Sequence, residues 1–255
     1  MGLSGNGVLL ACIDSGVDYA HPDFCAPDGT SRIAILWDQT IPGNPPMGYA
    51  LGSVYTRQQI NEALASSTPE ERFALVPSRD VTGHGTAVLG IAAGNGRSSA
   101  DAAMRGVAPE ATLVVVKLGN PDPADLPRTS QLLQAVDFCV RYALLVERPL
   151  VINLSFGNNY GSHSGDSLLE TYLNAVSNLG QNVICIGAGN EGDTGRHYAG
   201  NLKSDRKSSG QTQTVRATSD PAATSAVSAT ADRAVSVEFQ VGAYESSFSL
   251  QIWKV

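Results

Sequence analysis

Residues Thr112–Leu118 read TLVVVKL, residues Ser130–Val146 read SQLLQAVDFCVRYALLV, and residues Leu150–Leu154 read LVINL. The first and last are runs of branched apolar residues, the pattern of parallel strands buried on both faces. Between them Leu132, Leu133, Val136, Cys139 and Val140 recur at helical spacing, behind a Ser130 that can cap the first turn. Strand, helix, strand in that order is a parallel crossover unit. The alternation extends outward in both directions. Val8–Ile13 and Ile33–Trp37 are short apolar runs, and Tyr55–Ala65 (YTRQQINEALA) reads as a helix. Beyond Leu154, Ser167–Leu179 reads as a helix and Asn182–Ile186 (NVICI) as a strand. The fold class is therefore α/β, a mostly parallel sheet flanked by helices.

Composition narrows the function. The 255 residues are 42% hydrophobic, 16% charged and 6% aromatic, with 26 glycines and 13 prolines, which excludes a disordered, coiled-coil or collagen-like chain. A net charge of −7 without a basic cluster argues against a nucleic-acid partner. No apolar run reaches the ~18–20 residues of a membrane span, so no membrane partner is expected. Residues Met1–Gly7 lack the basic and apolar regions of a signal peptide. Cys12, Cys25, Cys139 and Cys185 follow no zinc or CxxC spacing. Three of them lie in apolar runs, and free buried thiols are expected.

After about Gly200 the texture changes. Lys203–Arg233 is rich in Ser, Thr, Ala, Gln and Asp and reads as a polar connection or exposed insertion. Val235, Val237, Phe239 and Val241 then alternate with polar residues, as do Phe248, Leu250 and Ile252. These predict a hairpin of an antiparallel sheet with one buried face. Two strands are marginal alone, so a β domain is expected to begin here without being completed.

Four segments carry chemistry, most of them at strand carboxyl ends where α/β folds place function. Asp14, in Cys12-Ile13-Asp14-Ser15-Gly16, ends an apolar strand, where a partly desolvated carboxylate wants a partner such as an imidazole N–H. His84 stands in Gly83-His84-Gly85-Thr86, with glycine on both sides allowing close backbone approach. Taken singly, each has a plain structural reading, a satisfied core or surface histidine and a turn-capping aspartate. Asn153-Leu154-Ser155-Phe156-Gly157 ends the LVINL strand, and Gly187-Ala188-Gly189-Asn190-Glu191-Gly192 follows NVICI. The last matches GxGxxG, yet no amphipathic helix follows to receive a pyrophosphate, so dinucleotide binding is set aside.

In their order these segments resemble the subtilisin-like (S8) serine proteases, over roughly Gly5 to Gly195, including Gly106-Val107-Ala108-Pro109 and Val116-Lys117-Leu118. The resemblance implies a subtilisin-like endopeptidase that hydrolyses peptide bonds with an Asp-His-Ser triad, acting on a peptide or protein substrate. His84 would be the general base, Asp14 would hold its ring and stabilise the imidazolium, and the Asn190 amide would donate to the oxyanion. Ser155, Phe156 and Gly157 would bind the substrate backbone, and Gly189 would leave room in the specificity pocket. Residues 1–200 would form the N-terminal part of the catalytic domain. Residues 201–255 would form a polar connection and the start of an inserted, jelly-roll-like β domain.

The departures are informative. The family's nucleophile lies in Gly-Thr-Ser-Met/Ala-x-x-Pro, and no such motif follows Asn190. The only Gly-Thr-Ser, at Gly29-Thr30-Ser31, follows Asp28 and reads as a turn. The chain is therefore expected to be an N-terminal fragment, inert alone, whose partner is a C-terminal segment carrying the serine. Gly192–His197 with the terminal Leu250-Gln251-Ile252-Trp253-Lys254 resembles the insertion of clostridial germination-type (Csp) subtilases, implying a secreted or spore-associated protein. A pseudoprotease that binds peptide or protein partners as a sensor or scaffold is the alternative, decided by the residue at the missing serine position. No cofactor is expected. Asp23 matches a calcium position of some subtilisins, while Gly94–Arg105 (GNGRSSADAAMR) does not resemble their calcium loop. His21, His163 and His197 share no ligand spacing and are read as structural or solvated.

Overall fold

A computed structural model describes residues 2–119, 127–155, 165–190, 197–203, 213–216, 236–239 and 247–253, the last four stretches as backbone. The chain divides into two compact units, Met1–Gly157 with Ser162–Gly187, and Asn158–Gly161 with Ala188–Val255.

The first unit is built on a six-stranded sheet: β1 (Leu9–Asp14), β2 (Ile33–Asp38), β3 (Ser53–Thr56), β4 (Thr112–Lys117), β5 (Leu150–Leu154) and β6 (Asn182–Ile186). The spatial order is β3-β2-β4-β1-β5-β6, parallel throughout except that β3 runs antiparallel to β2. Strand periodicity splits the core in two. Leu9, Ala11 and Ile13 of β1 pack on one face with Val114, Val116 and Ile152. Leu10 and Cys12 pack on the other with Leu113 and Val115. Helices α4 (Thr129–Leu145) and α5 (Leu168–Ser177) cover the first face, and α1 (Arg57–Leu64) and α3 (His84–Ala93) cover the second. All six residues of β1 are buried, as expected of a central parallel strand.

Local sequence sets the helix ends. The Ser167 hydroxyl accepts from the Glu170 N–H while the Glu170 carboxylate accepts from the Ser167 N–H, a reciprocal cap that starts α5. Thr56 and Gln59 start α1 in the same way, so the segment expected to be helical from Tyr55 is strand up to Thr56. Helix α2 (Pro69–Leu75), packed on α1, was not expected, although Thr68-Pro69-Glu70-Glu71 carries the capping signature. Helix α4 presents Leu132, Ala135, Val136, Phe138, Cys139, Val140 and Ala143 inward. Its Phe138 meets the Trp37 ring of β2 at 5.0 Å.

Topology decides where function sits. β4 lies beside β1 on one side and β5 on the other. The crossover through α4 therefore carries the chain past β1, and the carboxyl end of β1 lies at the switch point.

In the second unit β7 (His197–Lys203) pairs antiparallel with β10 (Ser247–Trp253), and β8 (Gln213–Arg216) with β9 (Ser236–Phe239). The antiparallel class is as expected, but the hairpin is corrected: β9 and β10 pair with different partners. Alternation reports a one-sided strand and says nothing about which strand lies next to it.

Cys12, Cys25 and Cys139 are buried, whereas Cys185 is exposed on β6, which pairs only with β5 among the described residues. Burial pushes the Cys12, Cys25 and Cys139 thiols up. Ellman's reagent is therefore expected to modify Cys185 rapidly in the native protein and the other three only after denaturation, as counted by released chromophore.

Candidate active site

The site grows from two motifs that meet at the carboxyl end of β1. Asp14 is the last residue of that strand and only 3% exposed. His84 is the first residue of α3, with a side chain 53% exposed. Their side chains meet with Nδ1 and Oδ1 2.7 Å apart. Asp14 Oδ1 also accepts from the Ser15 N–H at 2.7 Å. A hydrogen on Nδ1 donated to a carboxylate leaves Nε2 as the nitrogen that carries the lone pair whenever the ring is neutral. The ring itself is half exposed.

Glycine permits the approach. A Cβ on Gly85 would lie 2.2 Å from the Gly16 carbonyl oxygen and 3.2 Å from Asp14 Oδ1, so the first turn of α3 docks only because none is there. Gly16, at φ +115°, lacks a side chain that would meet Lys117 Cδ at 3.1 Å and the Arg79 carbonyl oxygen at 3.2 Å. Asp-Ser-Gly and Gly-His-Gly-Thr therefore interlock.

The open N–H groups at the start of α3 are all satisfied by side chains. Asp80 Oδ1 accepts from the Gly83 N–H and the Ser15 hydroxyl, and Oδ2 from the Thr86 N–H and hydroxyl. Ser15 Oγ accepts from the Gly85 N–H, and Thr82 Oγ1 from the His84 N–H. Burial pushes the Asp80 carboxyl up, but the Thr86, Ser15 and Gly83 hydrogen bonds outweigh it and hold the group below its ordinary value of 3.8. A carboxylate at a helix amino end is also favoured by the helix dipole. Asp80 is the residue the sequence reading missed. Its signal was a carboxylate four residues ahead of the helix start.

The other expected residues are distributed as follows. Ser155 follows β5, the strand beside β1, and its Oγ accepts from Asn153 Nδ2 at 2.9 Å. Phe156, Gly157 and His163 lie outside the described residues. Gly189, at φ +92°, and the exposed Asn190 follow β6 and belong to the second unit. Gly29-Thr30-Ser31 forms a turn in which the Thr30 N–H and hydroxyl donate to Asp28 Oδ1. His21 Nδ1 accepts from the Asp23 N–H, a local cap.

The residues around Asp23 do not fit a calcium ion. Asp23 Oδ1 accepts from the Ser98 N–H. The neighbouring Cys25 and Ala26 carbonyls, oxygen ligands of the kind calcium requires, accept from the Arg97 guanidinium. No group of three or more His, Cys, Asp or Glu able to hold a metal occurs among the described residues. Nor, among them, is any helix long and apolar enough to cross a membrane.

The model of the subtilase family, peptidase S8, matches residues 5–249. The chain is 29% identical over 193 residues to the major intracellular serine protease of Bacillus subtilis, spanning 75% of this chain and 46% of that protein. It is 27% identical over 194 residues to subtilisin E of the same organism, covering 76% and 37%. The structure of the Clostridium perfringens CspB protease superposes with a TM-score of 0.69 at 36% identity, over 79% of this chain and 40% of that one. The chain thus spans less than half the length of these relatives. Their names cover both locations, since the minor extracellular protease Vpr of B. subtilis also matches, at 27% identity.

Two substitutions probe the interlock. Gly85→Ala is expected to destabilise the first unit by about 1–3 kcal/mol in urea titration, because backbone atoms must shift to admit the methyl. Asp80→Asn tests the linkage. With a folded pKa below the unfolded one, Asp80 contributes stability in full above 3.8 and loses it as pH falls through the lower folded value. The variant is expected to show a shallower loss of stability than wild type below about pH 4, followed by unfolding at stepped pH.

Proposed function

The chain belongs to the subtilase family, and from that premise we propose that it supplies the base and the oxyanion donor of a serine endopeptidase. The carrying observation is the 2.7 Å contact between His84 Nδ1 and the buried Asp14 carboxylate, with the ring half exposed. His84 Nε2 takes the proton from a serine hydroxyl as that oxygen attacks the scissile carbonyl, and then returns it to the leaving amine. Asp14 holds the ring and stabilises the imidazolium without itself becoming protonated. The Asn190 amide donates to the oxyanion of the tetrahedral intermediate. Ser155, Phe156 and Gly157 pair with an extended substrate through main-chain hydrogen bonds, which tolerate many sequences, and Gly189 leaves the pocket open. The serine belongs to polypeptide beyond these 255 residues, and without it the groups present give only residual catalysis.

Labelling of the full-length protein with a fluorophosphonate, read by intact mass, tests this. One adduct on a serine outside these residues is expected, and His84→Ala abolishes it. A protein that retains Asp14 and His84 and never takes up the label overturns the reading and leaves a peptide-binding pseudoprotease. In the unlabelled full-length enzyme, Asp14→Asn is expected to lower kcat about 10⁴-fold, the size known for this change in a serine protease. Asn190→Ala is expected to lower it about 10²–10³-fold, the effect measured on the corresponding donor of subtilisin.

A further inference from the structure

Lys117 ends β4 between two acids. In the strand register it stands opposite Asp14 of β1 and opposite Asp38 of β2. All three are buried, Lys117 and Asp14 at 3% exposure and Asp38 at 0%. A lysine so deeply buried is rare and needs a partner for its ammonium. Neither carboxylate is that partner, since Lys117 forms no ion pair within 4 Å among the described residues. Asp38 is occupied by the Thr40 N–H and hydroxyl and by the Ser78 hydroxyl. Asp14 Oδ1 is occupied by His84 and the Ser15 N–H.

The ammonium instead donates to the Arg79 main-chain carbonyl. Its stem reaches there through the space Gly16 leaves open. Arg79 immediately precedes Asp80, the carboxylate that holds the first turn of α3. The Arg79 guanidinium does not anchor this point to the sheet; it lies over the Phe73 ring at 3.7 Å. A chain of contacts thus runs from β4 through Lys117, Arg79 and Asp80 to Gly83 and Thr86, which flank His84 in the first turn of α3. A charge-assisted hydrogen bond in a desolvated setting is the strong kind.

We propose that Lys117 is a positioning residue for the Asp14–His84 pair: its buried ammonium clamps the loop ahead of α3 to the sheet edge and so sets where Asp80 holds the helix start. The assignment rests on reading Asp14 and His84 as the working pair. Its test needs no catalysis, so a failed clamp and a failed protease reading are told apart.

The test is nuclear magnetic resonance on this chain and on Lys117→Met, which keeps most of the stem and removes the charge. The Gly83 and Thr86 amides are expected to exchange with solvent roughly tenfold faster in the variant, the size of one lost hydrogen bond to a charged group. The far-downfield signal of the His84 Nδ1–H bonded to Asp14 is expected to be lost, while the Val114 and Ile152 amides keep their protection. On an Asp80→Asn background the same change is expected to add little, because both act through one loop. Unchanged exchange at Gly83 and Thr86, or an equal rise at Val114 and Ile152, overturns the proposal. Should Lys117→Met fail to fold, the wild-type chain decides. A slowly exchanging Lys117 ammonium signal at neutral pH supports the clamp, and one that exchanges freely overturns it.

Discussion

The absence of a side chain on Gly85 is the constraint on which the site depends. With a Cβ position 2.2 Å from the Gly16 carbonyl oxygen, the start of α3 and the end of β1 are closer than any other residue allows. That approach brings a half-exposed imidazole against a buried carboxylate without either leaving its own element. It also brings Ser15 under the helix start, where its hydroxyl serves both Gly85 and Asp80. One steric allowance therefore organises two motifs far apart in sequence.

Polar groups gathered at such a sheet edge must be satisfied, and the chain does this with a small set of shared partners. Asp80 acts as a cap placed outside the usual capping position, since Gly83 itself has no side chain to offer. Arg32 performs a similar task at the opposite end of α3, donating to the Asp23, Ala93 and Ala111 carbonyls. Helix α3 is thus held at both ends by side chains from elsewhere, although its own sequence (HGTAVLGIAA) carries no acid and no lysine or arginine. The N–H groups at the helix start are all bonded in this way, whereas the buried Asp14 Oδ2 has no hydrogen-bond partner among the described residues.

The sheet topology explains why the pair sits where it does. β1 is central, flanked by β4 and β5, and the adjacent carboxyl ends carry Asp14, Lys117 and Ser155. Parallel register aligns those ends on one edge of the sheet, so residues more than a hundred positions apart are neighbours.

Much of this was legible in the sequence, because its signals are local. Branched apolar runs marked β1, β2, β4, β5 and β6, and helical spacing marked α4 and α5, since burial on two faces and on one stripe leave different periodicities. The Asp-Ser-Gly and Gly-His-Gly-Thr motifs were readable as a pair through their family resemblance. What the sequence left undetermined was partnership. Alternation identified β9 and β10 as strands, but pairing assigned them to β8 and β7. A lone Asp80 and a strand-ending Lys117 looked ordinary until the fold brought one to the start of α3 and the other to the Arg79 carbonyl. Cys185 read as core in its apolar run but lies exposed on an outer strand. Sequence settles which face or turn a residue prefers; only tertiary structure decides which distant backbone it meets, because that distance is set by packing and not by spacing along the chain.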